Sequence, residues 1–289
     1  MEPVERVRIR AREGETEIER ADALAVEEPL EIRLRGEDRA PAVRFVTTMR
    51  TPGHDEELAA GLLFAEGVLA ERSDLAAFDR PSDPRVAADL RANVVIATLS
   101  PEALARAGKL TRGTVMGSAC GVCGKTSIEN VMPEDGRPIK AELRIAPDVL
   151  YALPERLRQR QSVFAQTGGL HAAALFTAGG ELVALREDIG RHNATDKLVG
   201  SFWLADKLPL SEAVLLVSGR AGFEIAQKAY TAGIPVLASV SAPSSLAVEL
   251  AEKAGLTLVG FLRGRRYNVY AHPRRVGGSI PLDKPAASF

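Results

Sequence analysis

At 289 residues and 46% hydrophobic, the chain can bury one large core or two modest ones. Its 37 Lys and Arg against 38 Asp and Glu leave a formal charge of -1, so no net field draws it to nucleic acid. No apolar run approaches the roughly 18 residues needed to span a bilayer, and the start, Met1-Glu2-Pro3-Val4-Glu5-Arg6, lacks the apolar stretch of a secretory signal. We expect a cytoplasmic protein with reduced thiols that engages neither membrane nor nucleic acid.

The first forty residues are rich in charge, and apolar and charged residues alternate in Val7-Arg8-Ile9-Arg10 and Leu30-Glu31-Ile32-Arg33-Leu34. That period of two predicts half-exposed antiparallel strands. Phe45–Met49 is a further strand, and the turn residues Thr51-Pro52-Gly53-His54-Asp55 then open a helix. From Glu56 to Gly67, Leu58, Gly61, Leu62 and Ala65 recur at helical spacing. Asn93–Leu99 reads as one more strand, and residues 1–112 are expected to form a small α+β domain.

The segment Gly113–Gly124 follows, within a loop region taken as 113–140. Four glycines there surround both cysteines of the chain, Cys120 and Cys123. Glycine tolerates unusual backbone angles and lets a partner approach closely, so a loop is expected rather than a packed element. Beyond it the rhythm changes. Ile189–Phe202 suggests a helix, Ala213–Gly219 a buried strand, Phe223–Ala232 a helix, Ile234–Val240 a strand, Ser245–Ala254 a helix and Leu256–Phe261 a strand. Strands alternating with helices predict a parallel α/β sheet covered by helices. The α/β domain is expected over 141–276, with a disordered tail over 277–289.

Two thiols at C-x-x-C spacing leave three chemistries open: zinc ligation, disulfide exchange and sulfur-nucleophile or persulfide transfer. Zinc needs four ligands, or three and a water. The histidines, His54, His171, His192 and His272, form no H-x3-5-H pair that would complete such a site, and no permanent metal is predicted. Exchange of the thioredoxin type places the motif after a strand and before a helix, and no such unit precedes it here.

Two other stretches carry polar chemistry. Arg186–Lys197 crowds seven ionisable side chains into twelve positions. Charge alone favours a solvated helix start with local ion pairs, each of little worth in water, over a polar pocket wall or docking surface. The carboxyl ends of the predicted parallel strands hold Ser218-Gly219-Arg220-Ala221-Gly222, Ser241-Ala242-Pro243-Ser244-Ser245 and Arg263-Gly264-Arg265-Arg266. In open α/β sheets ligands bind at that edge, and these residues suit an anionic, phosphorylated one. A solvated arginine edge weighs about equally. The G-x-G-x-x-G fingerprint of nicotinamide enzymes is absent.

Taken in order, Met49-Arg50-Thr51-Pro52-Gly53 with Glu56–Ala59, Cys120-Gly121-Val122-Cys123-Gly124, Glu187–Leu198, and Val240–Val248 with Leu258–Phe261 resemble the formate dehydrogenase accessory proteins of the FdhD/NarQ family. The resemblance runs from about Glu28 to His272. It implies a sulfur carrier: a sulfurtransferase that accepts sulfur from a cysteine desulfurase as a cysteine persulfide. The sulfur then passes to a molybdenum cofactor carrying two pterin guanine dinucleotides, held as bound substrate, before that cofactor enters formate dehydrogenase. Cys120 would carry the persulfide, with Cys123 assisting or resolving. Phe261, Leu262, Arg263, Gly264, Arg265 and Arg266 would contact the cofactor. The resemblance further implies a C-terminal domain folded like cytidine deaminases, and a homodimer. Deamination is not expected, because Leu170-His171-Ala172-Ala173-Ala174 has alanine where the deaminase glutamate would stand. The alternative is a non-catalytic chaperone that holds the cofactor and docks on the dehydrogenase.

Overall fold

The computed structural model describes residues 2–38, 40–82, 87–111 and 138–277. Cys120, Cys123 and the rest of the Gly113–Gly124 segment lie outside the described residues, as does the expected disordered tail except Gly277. Among the described residues, no helix is long and apolar enough to cross a membrane.

Strands β1 (Val4–Glu13) and β2 (Thr16–Ala25) pair with each other as an antiparallel hairpin turning at Gly14, where φ is +63°. A four-stranded sheet follows, built from β3 (Glu28–Gly36), β4 (Val43–Arg50), β5 (Leu75–Asp79) and β6 (Val94–Leu99) in the order β4-β3-β6-β5. The expected antiparallel pairing holds for β3 with β4, but β3 lies parallel to β6. The chain must cross over between them, through α1 (Asp55–Ala65) and β5, and a crossover returns a strand parallel rather than antiparallel. Leu30, Ile32 and Leu34 alternate inward from β3. They meet Val95, Ala97 and Leu99 of β6 beneath Leu58 and Leu63 of α1. Two further helices, α2 (Ala88–Ala92) and α3 (Pro101–Thr111), flank β6 in the chain.

The larger sheet has six strands: β7 (His171–Thr177), β8 (Leu182–Asp188), β9 (Ala213–Val217), β10 (Val236–Ser239), β11 (Thr257–Arg263) and β12 (Arg266–Ala271). Their order is β12-β11-β10-β9-β7-β8. The three predicted strands are parallel to one another at its centre. The sheet as a whole is mixed, because the β7–β8 hairpin adds antiparallel to β9 and β12 turns back on β11. Helices α6 (Arg191–Leu204), α7 (Phe223–Thr231) and α8 (Ser245–Ala254) bring Leu198, Ile225 and Leu250 against one face, where they meet Leu215, Leu237 and Leu258. The other face, with Phe176, Val214, Leu216 and Val259, is covered by Leu150, Leu153 and Leu157 of α4 (Pro147–Arg158). Successive strand residues point to opposite faces, so Val214 and Leu216 serve one core and Leu215 the other. A short helix, α5 (Ser162–Thr167), leads into β7 and lies against β2.

Helix α6 belongs to both cores. Its middle packs on the six-stranded sheet, while Trp203 near its end joins the cluster under the four-stranded one. It crosses α1 so closely that a methyl group on Gly61 would overlap the carbonyl oxygen of Asp196, and one on Gly200 would overlap that of Glu57. Glycine is required at both positions by proximity rather than by backbone angle.

Candidate functional site

The charged stretch 186–197 is not a solvated helix start. Asp188 is 0% and Lys197 1% exposed, and their charges meet at 2.7 Å. Their partners come from the distant Met49–Thr51 segment at the end of β4. The Thr51 N–H donates to Asp188 Oδ2 at 3.2 Å, Lys197 Nζ to the Thr51 carbonyl at 2.8 Å, and Asn193 Nδ2 to the Met49 carbonyl at 2.7 Å. Asp188 Oδ1 also accepts from the Gly190 N–H at 2.8 Å and from Asn193 Nδ2 at 3.1 Å. Local charge counting misses this arrangement because the backbone hydrogen-bond partners that let the pair be buried lie 137 to 146 residues away in sequence.

A second buried ionic cluster continues the seam. Arg50, 0% exposed, holds Asp55 through two hydrogen bonds of 2.9 and 3.2 Å and donates to Asn93 Oδ1 at 2.8 Å. Arg80 donates to the same carboxyl at 2.9 Å. Burial alone would raise the pKa of Asp55, but the hydrogen bonds from Arg50 and Arg80 outweigh it and hold it below the usual carboxylate range. Glu57 behaves alike: against its burial, Arg186 at 2.5 and 2.7 Å and His54 at 3.1 Å bring it down to about 2. A surface cleft of about 460 Å³ opens onto this cluster, lined by Gly53, His54, Asp55, Arg80 and Arg91 among others.

Beyond the seam lies the carboxyl edge of the six-stranded sheet. His171 stands at the start of β7 opposite Asp188, next to Gly219 at the end of β9. A side chain on Gly219 would press on both His171 and Arg191, so the glycine keeps open the space the two residues share. Burial lowers the pKa of His171, and the Arg191 charge lowers it further. Among the described residues, Arg191 Nε is buried there without a hydrogen-bond partner. The predicted strand-end serines are partly committed to the fold. Ser218 Oγ accepts from the Ala172 N–H at 2.9 Å, and Ser244 Oγ caps α8 through the Ala247 N–H at 3.2 Å.

Phe261–Arg266 form the end of β11, a turn and the start of β12. Phe261 adopts a left-handed backbone, φ 53°, at a register shift between Gly260 and Arg263. Such a conformation costs on the order of 1–3 kcal/mol, and residues held in it cluster at functional sites. Its N–H donates to the Ser241 carbonyl at 3.0 Å, tying the β11 end to the β10 end. Gly264, φ +58°, makes the turn. Arg263, Arg265 and Arg266 are exposed around it, whereas the Leu262 side chain is fully buried in the core and offers a ligand only its backbone. Arg263 lies 5.8 Å from the Phe261 ring centre. Arg265 lies 5.4 Å from that of Tyr151 and 3.4 Å from the Asp148 carboxyl. Tyr151 and Asp148, on α4, carried no local signal that could place them beside the arginines.

The fold and this edge define an α/β protein with a cation-bearing rim beside a mixed sheet, joined to a second sheet by hydrogen bonds to the Met49–Thr51 backbone and by the part-buried Arg186–Glu57 pair. The chain belongs to the FdhD/NarQ family, whose model matches residues 25–277. Among its relatives are proteins named sulfur carrier protein FdhD. That of Streptomyces coelicolor is 54% identical over 270 residues, covering 93% of each chain. That of Mycobacterium tuberculosis is 48% identical over 273 residues, covering 93% of this chain and 97% of the other. The crystal structure of a chain put forward as a formate dehydrogenase accessory protein from Desulfotalea psychrophila superposes with a TM-score of 0.71. It covers 95% of this chain and 100% of that one at 23% identity, a likeness of fold.

Proposed function

We propose that this chain is a sulfur carrier serving formate dehydrogenase. It takes sulfur from a cysteine desulfurase onto Cys120 as a persulfide and passes it to a molybdenum cofactor bearing two pterin guanine dinucleotides. The observation that carries the reading is identity of up to 54%, over nearly the whole chain, to proteins named sulfur carriers. The residues matched by the family model include both cysteines. Two cysteines in a glycine-rich segment suit the chemistry, since a thiolate must approach the donor's sulfane sulfur and later release it. Cys123, three residues on, is placed in sequence to relay or resolve.

The carboxyl edge supports the cofactor half of the reading. Exposed Arg263, Arg265 and Arg266 at the β11–β12 turn suit the diphosphate groups of such a substrate, and the Phe261 ring beneath Arg263 offers a flat apolar face. We place the chain in the cytoplasm as a homodimer, with the cytidine-deaminase-like region over 141–276. Co-expression with a formate dehydrogenase in a host deprived of its own carrier tests the proposal. The wild-type chain should restore dehydrogenase activity, and Cys120→Ala should lower it at least tenfold. Full restoration by Cys120→Ala would overturn the carrier reading and leave the chaperone.

A further inference from the structure

His192 and Glu224 stand in the first turns of α6 and α7, the helices that leave the carboxyl edge after β8 and β9. His192 Nε2 lies 3.4 Å from Glu224 Oε2, with the side chains 22% and 13% exposed. Directly behind them, Lys228 Nζ lies 2.5 Å from Asp196 Oδ1 in a deeper, nearly dry pair. Neither His192 nor Glu224 caps a helix. The pair bridges α6 and α7 at the rim of the edge, one helical turn ahead of Asp196 and Lys228.

The surroundings determine its charge. The charged and titratable groups acting on the pair are Arg191 and Asp196 from α6, Lys228 from α7, His171 from β7 and Glu66 just beyond α1. Burial, with Arg191, Lys228 and His171 adding positive charge, lowers His192 to about 3, so its imidazole is neutral at physiological pH. Burial pushes Glu224 up to about 7, Lys228 and Arg191 opposing and Asp196 and Glu66 reinforcing. Asp196 is itself raised to about 6 by burial, against the pull of Lys228. A neutral imidazole nitrogen and a half-protonated carboxyl at 3.4 Å can share one proton.

We propose that the His192–Glu224 pair couples binding of a phosphate-bearing anion at the carboxyl edge to uptake of one proton, acting as a positioning acid–base pair for that site. The inference rests on the reading of this edge as the site of a guanine-dinucleotide ligand. Negative charge brought to the edge disfavours the Glu224 carboxylate and so raises the pair's proton affinity. By linkage, the proton in turn strengthens binding. Affinity is then greatest below about pH 7 and falls above it, by up to about tenfold per pH unit while one proton is linked.

Diguanosine pyrophosphate is the probe, because its phosphates are diesters with no proton that titrates near neutrality. Calorimetric titration of the full chain at pH 7, in two buffers of different ionisation heat, counts the protons taken up. Wild type should take up a measurable fraction of one proton. Glu224→Gln should take up none, and its affinity should stay constant from pH 6 to pH 8. If Glu224→Gln fails to fold, His192→Gln replaces it and should move the midpoint of the wild-type pH dependence away from about 7. Binding without proton uptake by the wild type, or equal uptake by Glu224→Gln, overturns the coupling and spares the ligand reading. Absence of binding heat at every pH overturns both.

Discussion

Asp188 is the residue on which the seam between the two sheets turns. Its carboxylate receives two backbone N–H groups, an amide and the Lys197 ammonium, all buried but for the part-buried Gly190 contact. Removing one partner of such a cluster strands the others in a low dielectric, which costs more than the intact pair contributes. Asp188→Ala is expected to lower the unfolding free energy by about 3–5 kcal/mol, read from urea denaturation. Asp188→Asn keeps the shape and one acceptor and should lose less. A loss under about 1 kcal/mol for the alanine variant would mean that the seam does not hold the two sheets together. Part of this was legible in sequence. The motifs Met49–Gly53 and Glu187–Leu198 were singled out separately, and the structure shows that they were two halves of one contact. Charge spacing could not reveal that, because a local count treats each ionisable group as facing water.

At the scale of elements, the crossing of α1 and α6 sets the distance between the N-terminal sheet and the α/β sheet. Helical periodicity marked both helices to within a few residues, and Gly61 lay among the residues at helical spacing. Nothing local distinguished a glycine under a neighbouring carbonyl from one merely tolerated in a helix. Gly61→Ala or Gly200→Ala would drive a methyl group into backbone that cannot yield without separating the helices. Each is expected to destabilise by about 1–3 kcal/mol or more. Gly108→Ala, in α3 with nothing among the described residues within 4 Å of the new methyl group, should stabilise by about 0.5–1 kcal/mol from helix propensity. Thermal unfolding of the three variants separates the effects by sign. The apolar pattern marks strands where runs are wholly buried, as in β9 and β10, and does not mark β7, β8 or β12. In β7 alanines fill three of the five buried positions, and in β8 and β12 burial is mostly partial, so the apolar signal is weak.

For the whole molecule, the α/β class followed from the order of elements, while the mixed sheet depended on hairpins at its two edges that periodicity under-reports. The polar edge was anticipated from the rule that ligands meet open α/β sheets at strand carboxyl ends, and the arginines, Phe261 and Gly219 lie there. His192 and Glu224, 32 residues apart, drew no attention as a pair because only the packing of α6 beside α7 joins them. The account as a whole stands on sulfur carriage by Cys120. Intact-protein mass spectrometry after incubation with a cysteine desulfurase and L-cysteine measures it directly on wild type, Cys120→Ala and Cys123→Ala. The account predicts a gain of ~32 Da, one sulfur atom, that is removed by reductant, is present in wild type and Cys123→Ala, and is absent from Cys120→Ala. No gain on wild type, or an undiminished gain on Cys120→Ala, would contradict it.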